Sequence, residues 1–246
     1  GKIVLAHSTW FAYLWAVGYN VIATTSPRKG SRFSMQTCPG SICSGTDWYL
    51  SDCGLLVAET TITGMVTFDQ QKTPYFMRAR RAIQYARTLD EWVNIMVEDN
   101  NGGYASDWLI GDAKTGEIAC LELGTASYAL DRTFDGAFFG SNVATNEKVR
   151  SETVLDYGDD SLSCNARRKR WTQLIELSGE EVNVEAAKKL IADHYDSYSS
   201  TAVKNRNSIC GHIELDKRGW PEWGQGPYYP AGSHDAKTVD SDLVSK

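Results

Sequence analysis

The sequence predicts an α+β fold, an αββα four-layer sandwich in which two stacked, mostly antiparallel sheets lie between layers of helix. Two observations predict it. Segments of β-type residues and segments of helical periodicity alternate in blocks: strands, helices, strands, helices. The connections within each strand block are also short, as they are between antiparallel strands. With 246 residues the chain is long enough to bury one large core, so we expect a single domain over residues 1–246.

The first half of the chain contains the first strand block and the first helix block. Runs of apolar and β-branched residues predict strands over residues 2–10, 19–25, 31–37 and 53–63. The period then becomes helical over residues 73–87, with Pro74 at a position favoured in a first helical turn. Thr88-Leu-Asp-Glu91 has the form of a capping box, which predicts that a second helix begins there.

The second half repeats the order. Strands are predicted over residues 108–112, 117–123, 127–131 and 137–141, with a hairpin turn at residues 114–116. Helices are predicted over residues 166–177 and 184–195, the second of them behind Asn183 as N-cap. Residues 219–232 are rich in Gly, Pro and aromatic residues, and we expect a loop that wraps the surface.

Composition excludes several classes of function. A net charge of −6 and a pI near 5.3 leave no basic face for nucleic acid. No apolar stretch approaches the roughly 18 residues that a transmembrane helix requires. Neither a P-loop, a G-x-G-x-x-G, an H-E-x-x-H nor a G-x-S-x-G motif is present. The six cysteines show no zinc-type spacing, so we expect no metal and no cofactor. Pairing among Cys38, Cys43 and Cys53 stays open.

Polar residues at predicted strand ends are the candidates for a site. Glycines at positions 40 and 45 allow close approach to the backbone, and Glu59 and Thr60 end the strand that follows. His7 ends the first predicted strand within a polar cluster, and its role is either catalytic or structural. Asn142 either holds an oxyanion or forms an Asx-turn. Asp47 either orients a partner or shapes a turn, and Arg167 either clamps an anion or is solvated.

The residues resemble the phospholipase B-like family, over nearly the whole chain. The resemblance rests on seven motifs that occur in the family's order: His7-Ser-Thr-Trp10, Pro39-Gly-Ser-Ile-Cys-Ser-Gly-Thr-Asp47, Gly54 through Glu59-Thr-Thr-Ile62, Asn100-Asn-Gly-Gly-Tyr104 with Trp108 and Asp112, Gly140-Ser-Asn142, Asn165-Ala-Arg167, and Tyr229-Pro-Ala-Gly-Ser-His-Asp235. This family belongs with the N-terminal-nucleophile (Ntn) hydrolases, alongside the autoproteolytic acyltransferases and choloylglycine hydrolases.

The resemblance implies an Ntn-hydrolase sandwich matured by autoproteolysis. A cysteine exposed by that cleavage would attack an amide or ester carbonyl of a lipid or acyl-amide substrate and form an acyl-enzyme. It implies catalytic roles for His7, Asn142 and Arg167, and a pocket lined by Trp10, Asp47, Glu59 and Thr60, the four residues to which the same motifs assign substrate binding.

The chain departs from the family pattern at its beginning and its end. None of its six cysteines occupies the nucleophile's place, which the pattern puts before Gly1, and the family usually continues beyond Asp235. We therefore expect this polypeptide to be inactive by itself, or to be completed by a second chain that carries the nucleophile strand.

Three functions remain open at this point. The first is the amide or ester hydrolase, or acyltransferase. The second is a non-catalytic binding or structural protein that uses the aromatic residues between Trp220 and Tyr229 as a contact surface. The third is a cysteine-protease-like enzyme that uses Cys43 with His7. The family suggests a lysosomal or secreted setting, whereas the absence of an N-x-Ser/Thr sequon favours neither compartment.

Overall fold

The computed structural model describes residues 2–19, 21–179 and 182–244. The strands are, in chain order, β1 Val4–Ala12, β2 Val21–Thr25, β3 Phe33–Thr37, β4 Trp48–Ser51, β5 Leu55–Thr61, β6 Ser106–Asp112, β7 Glu117–Leu123, β8 Tyr128–Thr133, β9 Tyr195–Asp196, β10 Thr201–Ala202 and β11 Ala231–Asp240. The α-helices are α1 Tyr13–Ala16, α2 Tyr75–Tyr85, α3 Leu89–Val97, α4 Glu147–Arg150, α5 Ser163–Ser178 and α6 Val184–Ile191. Within this described part of the chain, every helix is too short or too polar to span a membrane.

The chain divides into two compact units. We call the first the sheet unit; it comprises Gly1–Leu5, Tyr19–Leu155 and Asp240–Lys246. We call the second the loop unit; it comprises Ala6–Gly18 and Asp156–Val239. The single domain expected over residues 1–246 stays a prediction.

The sheet unit is built on a seven-stranded sheet in the order β2-β3-β4-β5-β6-β7-β8. Each strand pairs antiparallel with the next one along the chain. The turn between β6 and β7 uses Gly116, whose φ of 79° lies in the left-handed region that glycine tolerates. The register that follows pairs Asp112 with Glu117. The connections are short except between β5 and β6, where α2 and α3 intervene, so strands of both predicted strand blocks join in one sheet.

One face of this sheet is covered by α2 and α3. The side chains of Leu55 and Val57 both point to that face, because successive side chains of a strand point to opposite sides of the sheet. They pack in one cluster with the fully buried Trp92, whose ring lies 6.2 Å from Tyr49 and 5.9 Å from Trp108. Glu59 lies two residues beyond Val57 and so continues the same face of β5.

Both predicted helix caps are confirmed. The Thr88 hydroxyl accepts a hydrogen bond from the Glu91 amide at 3.2 Å, while the Glu91 carboxylate accepts one from the Arg87 amide at 2.7 Å. Asn183 accepts a hydrogen bond from the Ala186 amide at 2.9 Å at the start of α6. Pro74 is the N-cap residue of α2, one position before the first turn.

The loop unit contains α5, α6, the short β9–β10 pair and most of the β1–β11 sheet. β1 and β11 run antiparallel, since the Tyr13 amide bonds to the Pro230 carbonyl at one end and the Ser241 amide bonds to the Ile3 carbonyl at the other. Hydrogen bonds between buried polar side chains stabilise the rest of the loop unit. The buried Asp196 carboxylate, for example, accepts hydrogen bonds from the side chains of Asn205 and Asn207. The predicted class, α+β with two mostly antiparallel sheets, is confirmed.

Several predicted boundaries are wrong. Residues 137–141 form no strand, because the apolar run there is short and bounded by glycines, one of which, Gly136, has a φ of 131°. The helix predicted over 166–177 begins at Ser163, and the one predicted over 184–195 ends at Ile191. β4 and β11 were not predicted, because β4 follows a glycine-rich loop and β11 is largely polar. The tail over 219–232 contains the 3₁₀-helix Pro221–Trp223 and the start of β11.

Candidate functional site

Two carboxyl groups meet in the sheet unit, where the loop before β4 reaches the end of β5. Ser44 shapes that loop: its hydroxyl donates to the Gln36 carbonyl at 2.7 Å and accepts from the amides of Thr46 and Trp48. Asp47 follows with a left-handed φ of 58°. Its carbonyl accepts a hydrogen bond from the Glu59 amide at 3.0 Å. The loop is therefore fixed to β5 at the position of Glu59.

Glu59 is protonated more readily than an ordinary carboxyl group. It is 1% exposed, and this burial raises its pKa well above the usual range; the negative charge of Asp47 and a hydrogen bond to Asp47 raise it further. Hydrogen bonds from Ser106 and Tyr104 act in the opposite direction without outweighing these causes. A carboxyl group whose pKa is raised by burial and by a second carboxyl group beside it is frequent at functional sites.

Two tyrosines complete this carboxyl cluster, which we define as Asp47, Glu59, Tyr75 and Tyr104. The Tyr104 hydroxyl donates to Glu59 Oε2 at 3.2 Å and lies 2.5 Å from the Thr61 hydroxyl. The rings of Tyr75 and Tyr104 stack with centroids 4.4 Å apart. The sequence analysis missed both tyrosines as functional residues. Tyr104 had a signal, because it ends the quoted Asn100–Tyr104 motif, whereas Tyr75 is an ordinary helix residue without one.

Asn142 lies in a loop of the sheet unit, since the strand expected before it does not form. Its backbone φ is 68°, its carbonyl accepts from the Thr63 amide at 3.2 Å, and its side-chain amide donates to the Thr61 carbonyl at 2.7 Å. These bonds fix the direction of the amide. Thr60 lies against Gly140, where a Cβ would come within 2.8 Å of the Thr60 Cβ. Close packing between Thr60 and this glycine brings the loop up to β5.

In the loop unit, Arg167 stacks on Trp10. The Arg167 guanidinium lies 4.1 Å from the centre of the Trp10 ring, donates to the Ser163 hydroxyl at 3.0 Å, and is 5% exposed. The solvated alternative for Arg167 is therefore wrong. Burial also lowers its pKa from the usual value. The buried guanidinium of Arg167 thus contacts both the Trp10 ring and the Ser163 hydroxyl.

The Trp10 ring also packs against the backbone at Gly211. A Cβ there would lie 2.0 Å from the Trp10 ring, so only glycine fits between Cys210 and His212. The Trp10 indole N–H donates to the Ile209 carbonyl at 3.2 Å. His7 lies on the same strand as Trp10, with its Nδ1 3.5 Å from the Thr9 hydroxyl.

The predicted site residues therefore form two groups, one in each unit. The sheet unit brings together Asp47, Glu59, Thr60 and Asn142 near the end of β5. In the loop unit, Arg167 stacks on Trp10, and His7 lies three residues before Trp10 on β1. Their catalytic and binding roles stay predictions.

All six cysteines lie in the described residues, and no disulfide bond joins any of them. Cys43 is buried, and burial raises the pKa of its thiol, although hydrogen bonds from Ser41 and Tyr75 oppose this. Burial likewise raises the thiol pKa values of Cys164 and Cys210. An activated nucleophile requires a lowered pKa. The environment of Cys43 is thus the opposite of what a cysteine-protease-like function needs.

Sequence reasoning also missed a cluster of His194, Cys210 and His212 in the loop unit, whose possible ligand atoms all lie within 4.8 Å of one another. His194 was expected inside a helix, but α6 ends before it. Its only sequence signal was Cys210-x-His212, which matches none of the common zinc spacings.

The fold and these groups define an α+β protein with polar residues collected at strand ends. Its first half, residues 1–120, matches the family model described as Phospholipase B. Phospholipase-B 81 from Drysdalia coronoides is 23% identical over 100% of this chain and 48% of its own length. Phospholipase B-like 1 from Homo sapiens is 28% identical with the same two coverages. The chain is thus similar to phospholipase B-like proteins, as its motifs indicated, and it spans about half the length of these curated relatives.

Solved structures give weaker alignments. Penicillin V acylase from Agrobacterium tumefaciens aligns over 98% of this chain and 72% of its own, with a TM-score of 0.43 and 11% identity. A mutant of conjugated bile acid hydrolase from Clostridium perfringens aligns over 54% of this chain and 42% of its own, with a TM-score of 0.34 and 12% identity. TM-scores below 0.5 establish nothing about the reaction.

Proposed function

We propose that this chain is part of a hydrolase that cleaves an ester or amide bond of a lipid or acyl-amide substrate through a cysteine acyl-enzyme. One observation carries the proposal: the residues that match the Phospholipase B family include Asp47, Glu59 and Tyr104, three of the four members of the carboxyl cluster around the buried Glu59. Burying the Glu59 carboxyl group beside a second carboxyl group destabilises a fold, so this arrangement favours a functional reason.

Asn142 is the residue we assign to the oxyanion. When a thiolate attacks a carbonyl carbon, negative charge develops on the carbonyl oxygen, and a fixed amide donor stabilises it. The Asn142 amide is held by its hydrogen bond to the Thr61 carbonyl and by the left-handed backbone at this position. A donor held this way needs no reorganisation during the reaction.

Arg167 acts as a positioning residue in this proposal. It is too buried to clamp a substrate from solution, but it supports the face of Trp10, whose aromatic surface suits an acyl chain. His7, on the same strand, supplies a group that donates or accepts a proton near neutral pH.

The nucleophile of the proposal is a cysteine outside this chain, either on a preceding segment or on a second chain that carries it. The raised pKa values of Cys43, Cys164 and Cys210 support this assignment, because a protonated thiol attacks carbonyl carbon poorly.

The experiment is to replace Asn142 by Gly in the full-length gene product. Glycine accepts the backbone φ of 68°, so the loop keeps its conformation while the amide is removed. We expect kcat/KM for phospholipid or N-acyl-amide hydrolysis to fall about 10²–10³-fold, the usual cost of losing an oxyanion donor. Ser200→Gly is the matched control, since Ser200 also has a positive φ, 54°, and is exposed. Full activity in Asn142→Gly would refute the assigned role.

A second measurement tests the acyl-enzyme itself. Acid quenching during turnover, followed by peptide mass spectrometry, should find the acyl group on a cysteine that is none of the six in this chain. An acyl group on Cys43 would instead support the cysteine-protease-like alternative.

Aromatic residues of the loop unit favour the non-catalytic alternative. Trp220 lies 5.7 Å from Trp10 and 5.6 Å from Trp223, and Trp223 and Tyr228 are 47% and 59% exposed. An exposed aromatic group of this kind suits a binding surface. Absence of turnover and of acyl-enzyme in the folded full-length protein, together with loss of ligand binding in Trp223→Ala, would favour that alternative.

A further inference from the structure

We propose that His194, Cys210 and His212 form a Zn²⁺ site in the loop unit. Their ligand atoms converge: His194 Nε2 lies 3.1 Å from His212 Nε2, and Cys210 Sγ lies 3.9 Å from His212 Nε2. Tetrahedral zinc with Zn–N near 2.05 Å and Zn–S near 2.3 Å places such atoms about 3.4 Å and about 3.6 Å apart. These two distances differ from the tetrahedral values by a few tenths of an ångström, and the third pair, His194 and Cys210, lies within 4.8 Å, so rotation of the side chains has to bring Cys210 closer to His194.

The donor set selects the metal. Two imidazole nitrogens and one thiolate are borderline-soft ligands, which suit zinc and are poor partners for magnesium or calcium. Three protein ligands leave the fourth tetrahedral position for water. All three residues are half-buried, so an ion can reach the site from solvent.

A carboxylate orients one of the ligands. Glu214 Oε1 lies 2.8 Å from His212 Nδ1, so the Nδ1 proton is donated to the carboxylate and the Nε2 lone pair faces the other two residues. This carboxylate–histidine pairing is the usual outer-shell partner of a metal-bound imidazole.

The backbone holds the ligands in place without the metal. The Cys210 amide donates to the Asp193 carbonyl at 3.0 Å, which ties the residue before His194 to the segment of the other two ligands. The Asp193 side chain is held in turn by the Arg170 guanidinium at 3.0 and 2.7 Å. The Val203 amide donates to the His194 carbonyl at 2.8 Å. The site is therefore preorganised, and zinc would crosslink the end of α6 to the segment beside β11.

The competing explanation is a hydrogen bond between the two histidines, with His194 Nε2–H donating to His212 Nε2. In this explanation the Cys210 thiol is no more than a hydrogen-bond partner of Ser233, whereas a zinc site uses it as a ligand. The thiol is therefore the group that distinguishes the two explanations.

The first experiment is a titration of metal-free, reduced protein with Zn²⁺ in competition with a chromophoric chelator, followed by Co²⁺ substitution. We expect one Zn²⁺ per chain and, with Co²⁺, visible d–d bands together with a near-ultraviolet thiolate-to-cobalt charge-transfer band. Absence of the charge-transfer band in the unmodified protein would overturn the proposal, whatever the variants do.

The variants then assign the ligands. His194→Gln, Cys210→Ser and His212→Gln should each weaken Zn²⁺ binding by more than about 100-fold, and Glu214→Gln by about 10–100-fold as an outer-shell change. The matched controls are His234→Gln, a histidine of the same unit outside the cluster, and Cys38→Ser, a half-buried cysteine. Both should bind Zn²⁺ as the unmodified protein does. Unchanged affinity in folded His212→Gln, or equal losses in the controls, would refute the site.

Discussion

The sheet unit and the loop unit are stabilised in different ways. The sheet unit buries one apolar cluster between a seven-stranded meander and two helices, with Trp92 at its centre. The sheet unit adds a few buried charges, such as Glu59 and Arg78, to this cluster, whereas the loop unit relies mainly on buried polar groups: Asp196, Asp216, Asn205, Arg206 and Asn207 are all less than 9% exposed. Apolar packing tolerates small shifts, whereas buried polar groups require every partner to be present. The sheet unit is thus the more tolerant scaffold, and the loop unit the more exactly specified one.

The largest expected effect comes from removing the centre of the apolar cluster. Trp92→Ala leaves a cavity among fully buried side chains and should destabilise the sheet unit by about 3–5 kcal/mol. Amide hydrogen exchange in β5 and β6, read by mass spectrometry, measures the loss. Phe134→Ala is the control: Phe134 is 72% exposed, so the change should stay within about 0.5 kcal/mol.

The loop unit should respond most to loss of a buried acceptor. Asp196→Ala removes the acceptor of the Asn205 and Asn207 amides and of the Tyr198 N–H, at 2.8–3.2 Å. Leaving these donors unpaired should cost about 2–3 kcal/mol. In Asp196→Ala, amide hydrogen exchange should become faster in residues 193–208 and stay unchanged in β5. Asp196→Asn keeps one oxygen and should cost less; equal losses in the two variants would show that packing, not hydrogen bonding, holds this loop.

The two units should also differ in the sign of their pH dependence. Burial and Asp47 raise the pKa of Glu59, so the folded sheet unit binds more protons than the unfolded chain and loses stability as the pH rises above about 4.5. In the loop unit, burial acts to raise the Asp196 pKa, but hydrogen bonds from Asn205, Tyr198 and Asn207 outweigh it and lower it. That stability is lost as the pH falls below about 3.8.

Glu59→Gln tests the first half of this contrast. The variant mimics the protonated carboxyl, so it should be more stable than the unmodified protein near pH 8 and similar near pH 5, by urea denaturation at each pH. Glu98→Gln, an exposed change in the same unit, should leave the pH dependence as it is. If Glu59→Gln retains the full loss of stability at alkaline pH, the ionisation of Glu59 is not its cause.

The smallest effects should be equal in the two units. Thr88→Ala and Asn183→Ala each remove one helix cap, and each should cost about 1 kcal/mol. Exchange in the first turn of α3 and of α6 measures the two losses. Thr88→Ser and Asn183→Asp retain a capping oxygen and should restore protection. A much larger loss at Asn183 would mean that the polar loop unit depends on α6 more than its hydrogen bonds indicate.

Prediction from sequence succeeded for the strands and helices whose apolar residues follow a regular period. Strands β5 to β8 and helices α2 and α3 have alternating or helical apolar patterns, and their caps are local, so residues near in sequence determine them. β11 has no such pattern, because its pairing with β1 depends on contacts between opposite ends of the chain.

The site was predictable only in part. Asp47, Glu59, Thr60 and Asn142 were found because each follows a strand or glycine motif. The order of residues could not show that burial and Asp47 raise the pKa of Glu59, since this depends on how deeply β5 is buried. Nor could it bring His194 to Cys210 and His212, because a loop of irregular structure sets that approach.

The contact between Gly211 and Trp10 has an optical consequence. The glycine between the two proposed ligands lies directly against the indole, so a paramagnetic ion such as Co²⁺ held there should quench Trp10 fluorescence at short range. Subtracting the emission of Trp10→Phe isolates the signal of this single fluorophore from the other tryptophans. Because of the glycine contact, Trp10 is a fluorescent reporter within the loop unit for metal binding at His194, Cys210 and His212.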